Sequence, residues 1–124
     1  MLHFKSADFF GTELDVETCY GSCRSTRLLR KEHGYGFSVA LTRIDAGSTT
    51  EICYDNHFEA CYCIEGYGEV VAAGETYSIS PGVLYAPAQG ERHTVTATTN
   101  LVLVSVFRPA LVGHESHDAG GSYD

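Results

Sequence analysis

From about residue 24 onward the chain is cut into short runs by turn residues, and this spacing limits the fold more than any other feature. The runs cover 25–29, 36–44, 50–54, 59–64, 68–72, 76–79, 93–97 and 101–107. Between them stand His33-Gly34, Asp45-Ala46-Gly47, Gly66, Gly74, Pro81-Gly82 and Gly90. Apolar and polar residues alternate within the runs, which is the signature of half-buried strands. Evenly spaced short strands with glycine-rich turns predict an all-β sandwich or barrel. No stretch keeps a 3.6-residue apolar period long enough for a major helix, although residues 5–10 could form one helical turn. The chain of 124 residues reads as one domain, 1–124, because a second core would lack apolar residues to bury. After Pro109 the glycines at 113, 120 and 121 predict an irregular tail, from about residue 109, lying on the surface with mobile last residues.

Charge narrows the possible partners. The formal net charge is −8, and only eight residues are Lys or Arg. That balance argues against nucleic acid, which requires clustered cations to neutralise phosphates. Arg24, Arg27, Arg30 and Lys31 form the one basic cluster, read as a solvated strand edge, with carboxylate binding by one Arg as the second reading. No apolar run approaches the roughly 20 residues needed to cross a bilayer. The N-terminal residues do not resemble a signal peptide, so a cytoplasmic protein is expected. The five cysteines are odd in number and accompany no secretion signal, which predicts no disulfide framework. Cys61 and Cys63 would share one strand face as small buried hydrophobes, since no second pair at zinc spacing accompanies them.

The stretch from Gly47 to Gly66 carries the chemistry. Gly47, Cys53, Asp55, Glu59 and Gly66 keep the spacing of the first cupin motif, and Gly74, Pro81-Gly82 and Tyr85 echo the second. This frame resembles a cupin, a jelly-roll barrel (double-stranded β-helix) of two sheets whose interior opens to a ligand site. Side chains two apart on a strand share a face, so one sheet interior can present several ligands to one ion. Glu59 offers a hard oxygen, His93 an imidazole nitrogen, and Tyr85 a phenolate once a cation lowers its pKa. Such a set suits iron(II), with zinc or manganese as alternatives. His57 reads as a structural hydrogen-bonding residue at a strand end, outside the metal set.

A narrower resemblance covers almost the whole chain. Ser25-Thr26-Arg27-Leu28-Leu29, Tyr54-Asp55-Asn56-His57-Phe58-Glu59-Ala60, Gly66-Tyr67-Gly68-Glu69, Pro81-Gly82-Val83-Leu84-Tyr85, Glu91-Arg92-His93 and Glu115-Ser116-His117-Asp118 are similar to the ectoine synthase pattern, in the same order. The resemblance implies an iron-dependent dehydratase that closes N-γ-acetyl-2,4-diaminobutyrate to a cyclic amidine, and a homodimer. It places metal ligands at Glu59, Tyr85 and His93. Substrate-binding positions are implied at Ser25, Thr42, Tyr54, Ser105, Phe107, Glu115 and His117. Tyr54 or the Glu115–His117 pair could take the proton of the attacking amine. Two positions depart from the pattern: Cys23 stands where the family has Trp, and Ser105 where it has Cys. Losing the Trp predicts a wider or reshaped pocket. It keeps open action on another N-acylated diamino acid, by ring closure or its hydrolytic reverse, with a non-enzymatic binding cupin behind both.

Overall fold

The computed structural model describes residues 1–124 and contains ten strands. They are β1 (Asp15–Thr18), β2 (Cys23–Leu29), β3 (Ser38–Ile44), β4 (Thr49–Ile52), β5 (Phe58–Glu65), β6 (Gly68–Ala72), β7 (Glu75–Ile79), β8 (Leu84–Tyr85), β9 (His93–Ala97) and β10 (Leu101–Arg108). One sheet has six strands in the order β1-β2-β3-β10-β5-β8, the other four in the order β4-β9-β6-β7, and every pairing is antiparallel. Helix is confined to single 3₁₀ turns at Ser6–Phe9, Cys19–Gly21 and Lys31–His33. No helix is long and apolar enough to cross a membrane.

The period of two sorts the side chains. Along β10, Leu101, Leu103, Ser105 and Phe107 are buried and alternate with half-buried valines. Glu59, Cys61 and Cys63 turn inward from β5, and His93, Val95 and Ala97 from β9. Leu101, Leu103, Ile79 and Val95 are at most 1% exposed and form the apolar centre. Each such side chain contributes roughly 1.5–3 kcal/mol by leaving water. The registers Phe107↔Glu59 and Ser105↔Cys61 then place polar groups in the same interior. Packing and chemistry thus share one face.

Two strands carry no apolar alternation in the sequence. β1 carries a buried acid: Asp15 accepts from Arg43 and Thr26 and from the Gly11 N–H, so hydrogen bonds hold this strand where apolar burial does not. β8 is only two residues long, too short to show a period.

Three expectations need correction. The tail is irregular, but its end is seated inside: Leu111, Ser122 and Tyr123 are buried. The Cys53 N–H donates to the Gly121 carbonyl, and Asn56 donates to that of Tyr123. Gly121 permits this approach, because a Cβ there would lie 2.5 Å from the Glu51 carbonyl oxygen. The cysteines do form one disulfide, Cys19–Cys23. No framework is needed, since the 3₁₀ turn between them, with Cys19 and Tyr20 both left-handed, folds the chain back within four residues. Cys53, Cys61 and Cys63 are free and buried. The basic cluster is not one solvated edge either. Arg24 pairs with Asp15 and Arg30 with Glu32, whereas the Arg27 side chain is 1% exposed.

Candidate functional site

Glu59 and His93 approach from opposite sheets, their Oε1 and Nε2 atoms 3.9 Å apart. Both atoms are buried and neither has a hydrogen-bond partner. The His93 Nδ1 lies 2.9 Å from the Glu91 carbonyl oxygen. A carbonyl only accepts, so Nδ1 carries the ring proton and Nε2 presents its lone pair to the carboxylate. Two acceptors facing each other out of water are costly unless a proton or a cation lies between them. Burial pushes the Glu59 carboxyl up to about 7 and holds the His93 imidazole below its usual range. No three His, Cys, Asp or Glu side chains converge anywhere in the chain to hold an ion, so any metal set here would need a donor of another residue type. Tyr85 qualifies: it is the cross-strand partner of Cys61 and lines the same interior as Glu59. Burial drives its phenol well above the usual range.

A second cluster lies toward the tail. The Tyr54 hydroxyl is 2.7 Å from His117 Nε2, and His117 Nδ1 is 3.4 Å from Cys19 Sγ. A disulfide sulfur has no proton to give, which assigns the ring proton to Nδ1 and leaves Nε2 to accept from Tyr54. Burial, reinforced by the Arg27 charge, lowers the His117 pKa to about 4, so the ring is neutral at pH 7. Glu115 does not meet His117. Its carboxylate accepts from the Val112 and Gly113 N–H groups and faces Arg27 Nη1 at 3.5 Å. Burial pushes this carboxyl up, but those backbone donors and the guanidinium outweigh it and hold it below the ordinary range.

Sequence reasoning placed Arg27 in the basic cluster, with carboxylate binding by one Arg as the second reading, but did not single it out. Its Nε donates to Ser25 Oγ, its Nη2 to the Glu115 carbonyl, and its Nη1 has no hydrogen-bond partner. Ser25 and Glu115 therefore sit behind Arg27 and orient it. The signal was available, since Arg27 is two residues from Ser25 and must share its face. Tyr123, which sequence reasoning missed, had no such signal. Its ring stacks on His117 at 4.5 Å and on Tyr54 at 5.1 Å, meets Phe107 edge-on at 5.5 Å, and lies under the Arg27 guanidinium at 5.2 Å. His57 stays outside the Glu59–His93 pair, but the expected hydrogen bond is absent: its ring packs edge-on against Phe107 and Tyr123, and its buried Nδ1 has no partner.

The expected residues Thr42, Tyr54, Glu59, Tyr85, Ser105, Phe107 and His117 line one interior cavity. Thr42 and Ser105 share a hydroxyl–hydroxyl bond of 2.9 Å, and Ser105 lies 3.5 Å from Cys61 Sγ. The cavity has free space of only about 20 Å³, room for about one water. Cys19 and Cys23 occupy part of its wall, so the pocket is reshaped by a disulfide and not simply widened. A larger cleft of about 610 Å³ opens beside it between β7 and β8, and reaches Tyr85 and His93 from outside.

Known proteins share this sequence and fold. The ectoine synthase family model matches residues 1–124. An L-ectoine synthase of Desulfatibacillum aliphaticivorans is 45% identical over 118 residues, 94% of this chain and 91% of that protein. One from Halalkalibacterium halodurans is 43% identical over 121 residues, 96% and 92% of the two chains. A crystal structure of ectoine synthase from P. lautus superposes with a TM-score of 0.85 at 42% identity, covering 91% of this chain and 81% of that one. A cupin barrel domain protein from Salinispora arenicola, 19% identical with a TM-score of 0.62 over 69% of this chain and 75% of its own, shares the fold alone. With a whole-length family match, relatives above 40% identity and a cupin barrel, this chain belongs to the ectoine synthase family.

Proposed function

We propose that the chain closes N-γ-acetyl-L-2,4-diaminobutyrate to the cyclic amidine ectoine with a divalent metal held by Glu59, Tyr85 and His93. As a member of its family the chain is a lyase of the hydro-lyase class. The observation that carries the metal reading is the opposed, partnerless pair of Glu59 Oε1 and His93 Nε2. One imidazole, one carboxylate and one phenol suit iron(II), with zinc or manganese as alternatives. When bound, the ion would supply Lewis acidity to the amide oxygen.

The protein's own groups account for the rest. Arg27, paired with Glu115 and lying over the Tyr123 ring, holds that ring and the tail against Tyr54 and His117. The α-amine must be neutral to attack the acetyl carbon. Tyr54 oxygen can take the amine proton while its own passes to His117 Nε2 over their 2.7 Å bond. The carbon–nitrogen bond forms and the carbon–oxygen bond breaks. The oxygen leaves as water with the two protons given up by the neutral amine, and the new carbon–nitrogen double bond completes the amidine. The Thr42 and Ser105 hydroxyls and the Phe107 ring line an interior that the substrate would have to open, since its free space of about 20 Å³ holds only about one water. Ring closure within one molecule gains most from orientation. We further read the working form as a homodimer, supported by apolar side chains on the outer face of β5 and β8.

The test is amidine formation by purified protein with and without iron(II), beside Glu59→Gln. Metal-stimulated product in the wild type, with iron affinity and rate both down at least tenfold in the variant, is the expected result. Full activity after exhaustive chelation would remove the metal. No product from folded, iron-loaded protein would move the reading to another N-acylated diamino acid.

A further inference from the structure

The Cys19–Cys23 disulfide is a feature that family membership does not account for, since Cys23 stands where the family pattern has Trp. Cys19 alone among the cysteines borders two spaces. It lines the interior cavity with Tyr54 and His117, and it lines an outer cleft of about 450 Å³ between the 3₁₀ turn, β4 and the tail. That cleft is polar, bounded by Ser22, Thr49, Glu51, Arg92 and Gly120. Cys23 lines only the interior and is 2% exposed.

The disulfide also lies under the tail. His117 N–H donates to Thr18 Oγ1, Ser116 Oγ to the Glu17 carbonyl, and Tyr20 hydroxyl to the Asp118 carbonyl. Tyr20 lies inside the loop that the cross-link closes, and Glu17 and Thr18 stand directly before it. Within it Cys19 and Tyr20 hold left-handed backbone, with φ of 54° and 55°, which side-chain-bearing residues adopt reluctantly. A covalent tie across this turn retains a conformation that the free chain would leave.

We propose that Cys19–Cys23 is a reversible thiol–disulfide site, exchanged by a low-molecular-weight thiol through the outer cleft, which fixes the tail and His117 over the pocket when oxidised. In reduction, a small thiolate in the cleft attacks Cys19 Sγ, the Cys19–Cys23 bond breaks, and Cys23 leaves as a thiolate that takes a proton. A second small thiolate attacks the sulfur of the first, which frees Cys19 and releases the small-molecule disulfide. The His117 Nδ1–H, 3.4 Å from Cys19 Sγ, is placed to donate to the departing Cys19 thiolate. Oxidation runs the same steps backward, with the small disulfide taking two electrons from the pair. Access sets the order: Cys19 exchanges, Cys23 resolves.

Two readouts that need no substrate separate this inference from the proposed reaction. Alkylation under denaturing conditions after incubation with oxidised glutathione should label three cysteines, and all five after a dithiol reductant. A broad-specificity protease should then cut between Gly113 and Gly121 at least fivefold faster in the reduced protein. Cys23→Ser should be cut at the fast rate under both conditions. If that variant fails to fold, the wild-type comparison decides alone. Five labelled cysteines after oxidation, or equal cleavage rates in the two states, would overturn the proposal.

Discussion

His117 is held neutral by its surroundings, and that has a measurable consequence. The folded protein lowers its pKa to about 4 through burial and the Arg27 charge, against about 6.5 in an unfolded chain. Between these values the unfolded chain binds a proton that the folded one does not, so acid favours unfolding there. The contribution is fully present above pH 6.5 and is lost as pH falls toward 4. The full shift corresponds to about 3 kcal/mol, and partial access of the ring to solvent reduces this to about 2 kcal/mol. In urea melts at a series of pH values, His117→Asn should lose less stability than wild type across that window. Parallel curves would mean that the ring is not desolvated. The same neutral ring is what permits Nε2 to accept from Tyr54. An imidazolium would have two donors and no acceptor.

At the scale of elements, the C-terminal tail acts as a wall. Tyr123 is 3% exposed and touches Tyr54, Phe107, His117 and Arg27 at once. Removing its ring leaves a void among Tyr54, Phe107 and His117, so Tyr123→Ala should cost ~3 kcal/mol. An unchanged urea midpoint would show that the tail is not seated. What was legible beforehand follows from the same physics. Strands with one face buried announce themselves by their period, which is why eight strands were readable. Glu59 came from motif spacing, and Thr42, Ser105 and Phe107 from the family resemblance, not from the period. β1 was not readable, because an acid satisfied by Arg43 and Thr26 holds it. The tail was not, because Gly120-Gly121-Ser122 carries no pattern and its burial depends on backbone bonds to Cys53 and Asn56. The disulfide was not, because counting cysteines cannot reveal a left-handed turn that brings two of them together.

The whole molecule leaves one surface that a monomer has no use for. Tyr62, Ile64 and Leu84 are 45%, 48% and 61% exposed on the outer face of β5 and β8, and Tyr62 and Leu84 are direct cross-strand partners. They alternate with the buried Cys61 and Cys63, so the pleat that builds the site also forces them outward. β8 is the last strand of its sheet and only two residues long, a short edge that pairs poorly by itself. A second copy laid across this face would bury the patch by two-fold symmetry. Each copy carries a net charge of −8, so like charges oppose the approach while apolar burial favours it. Salt weakens the first and not the second. Sedimentation should therefore give a species of twice 13.5 kDa that tightens as salt rises. Leu84→Lys, which puts a charge at the centre of the contact, should shift it to monomer at the same concentration. A variant that sediments like wild type would move the interface off this face, and a dimer that loosens with salt would make it electrostatic.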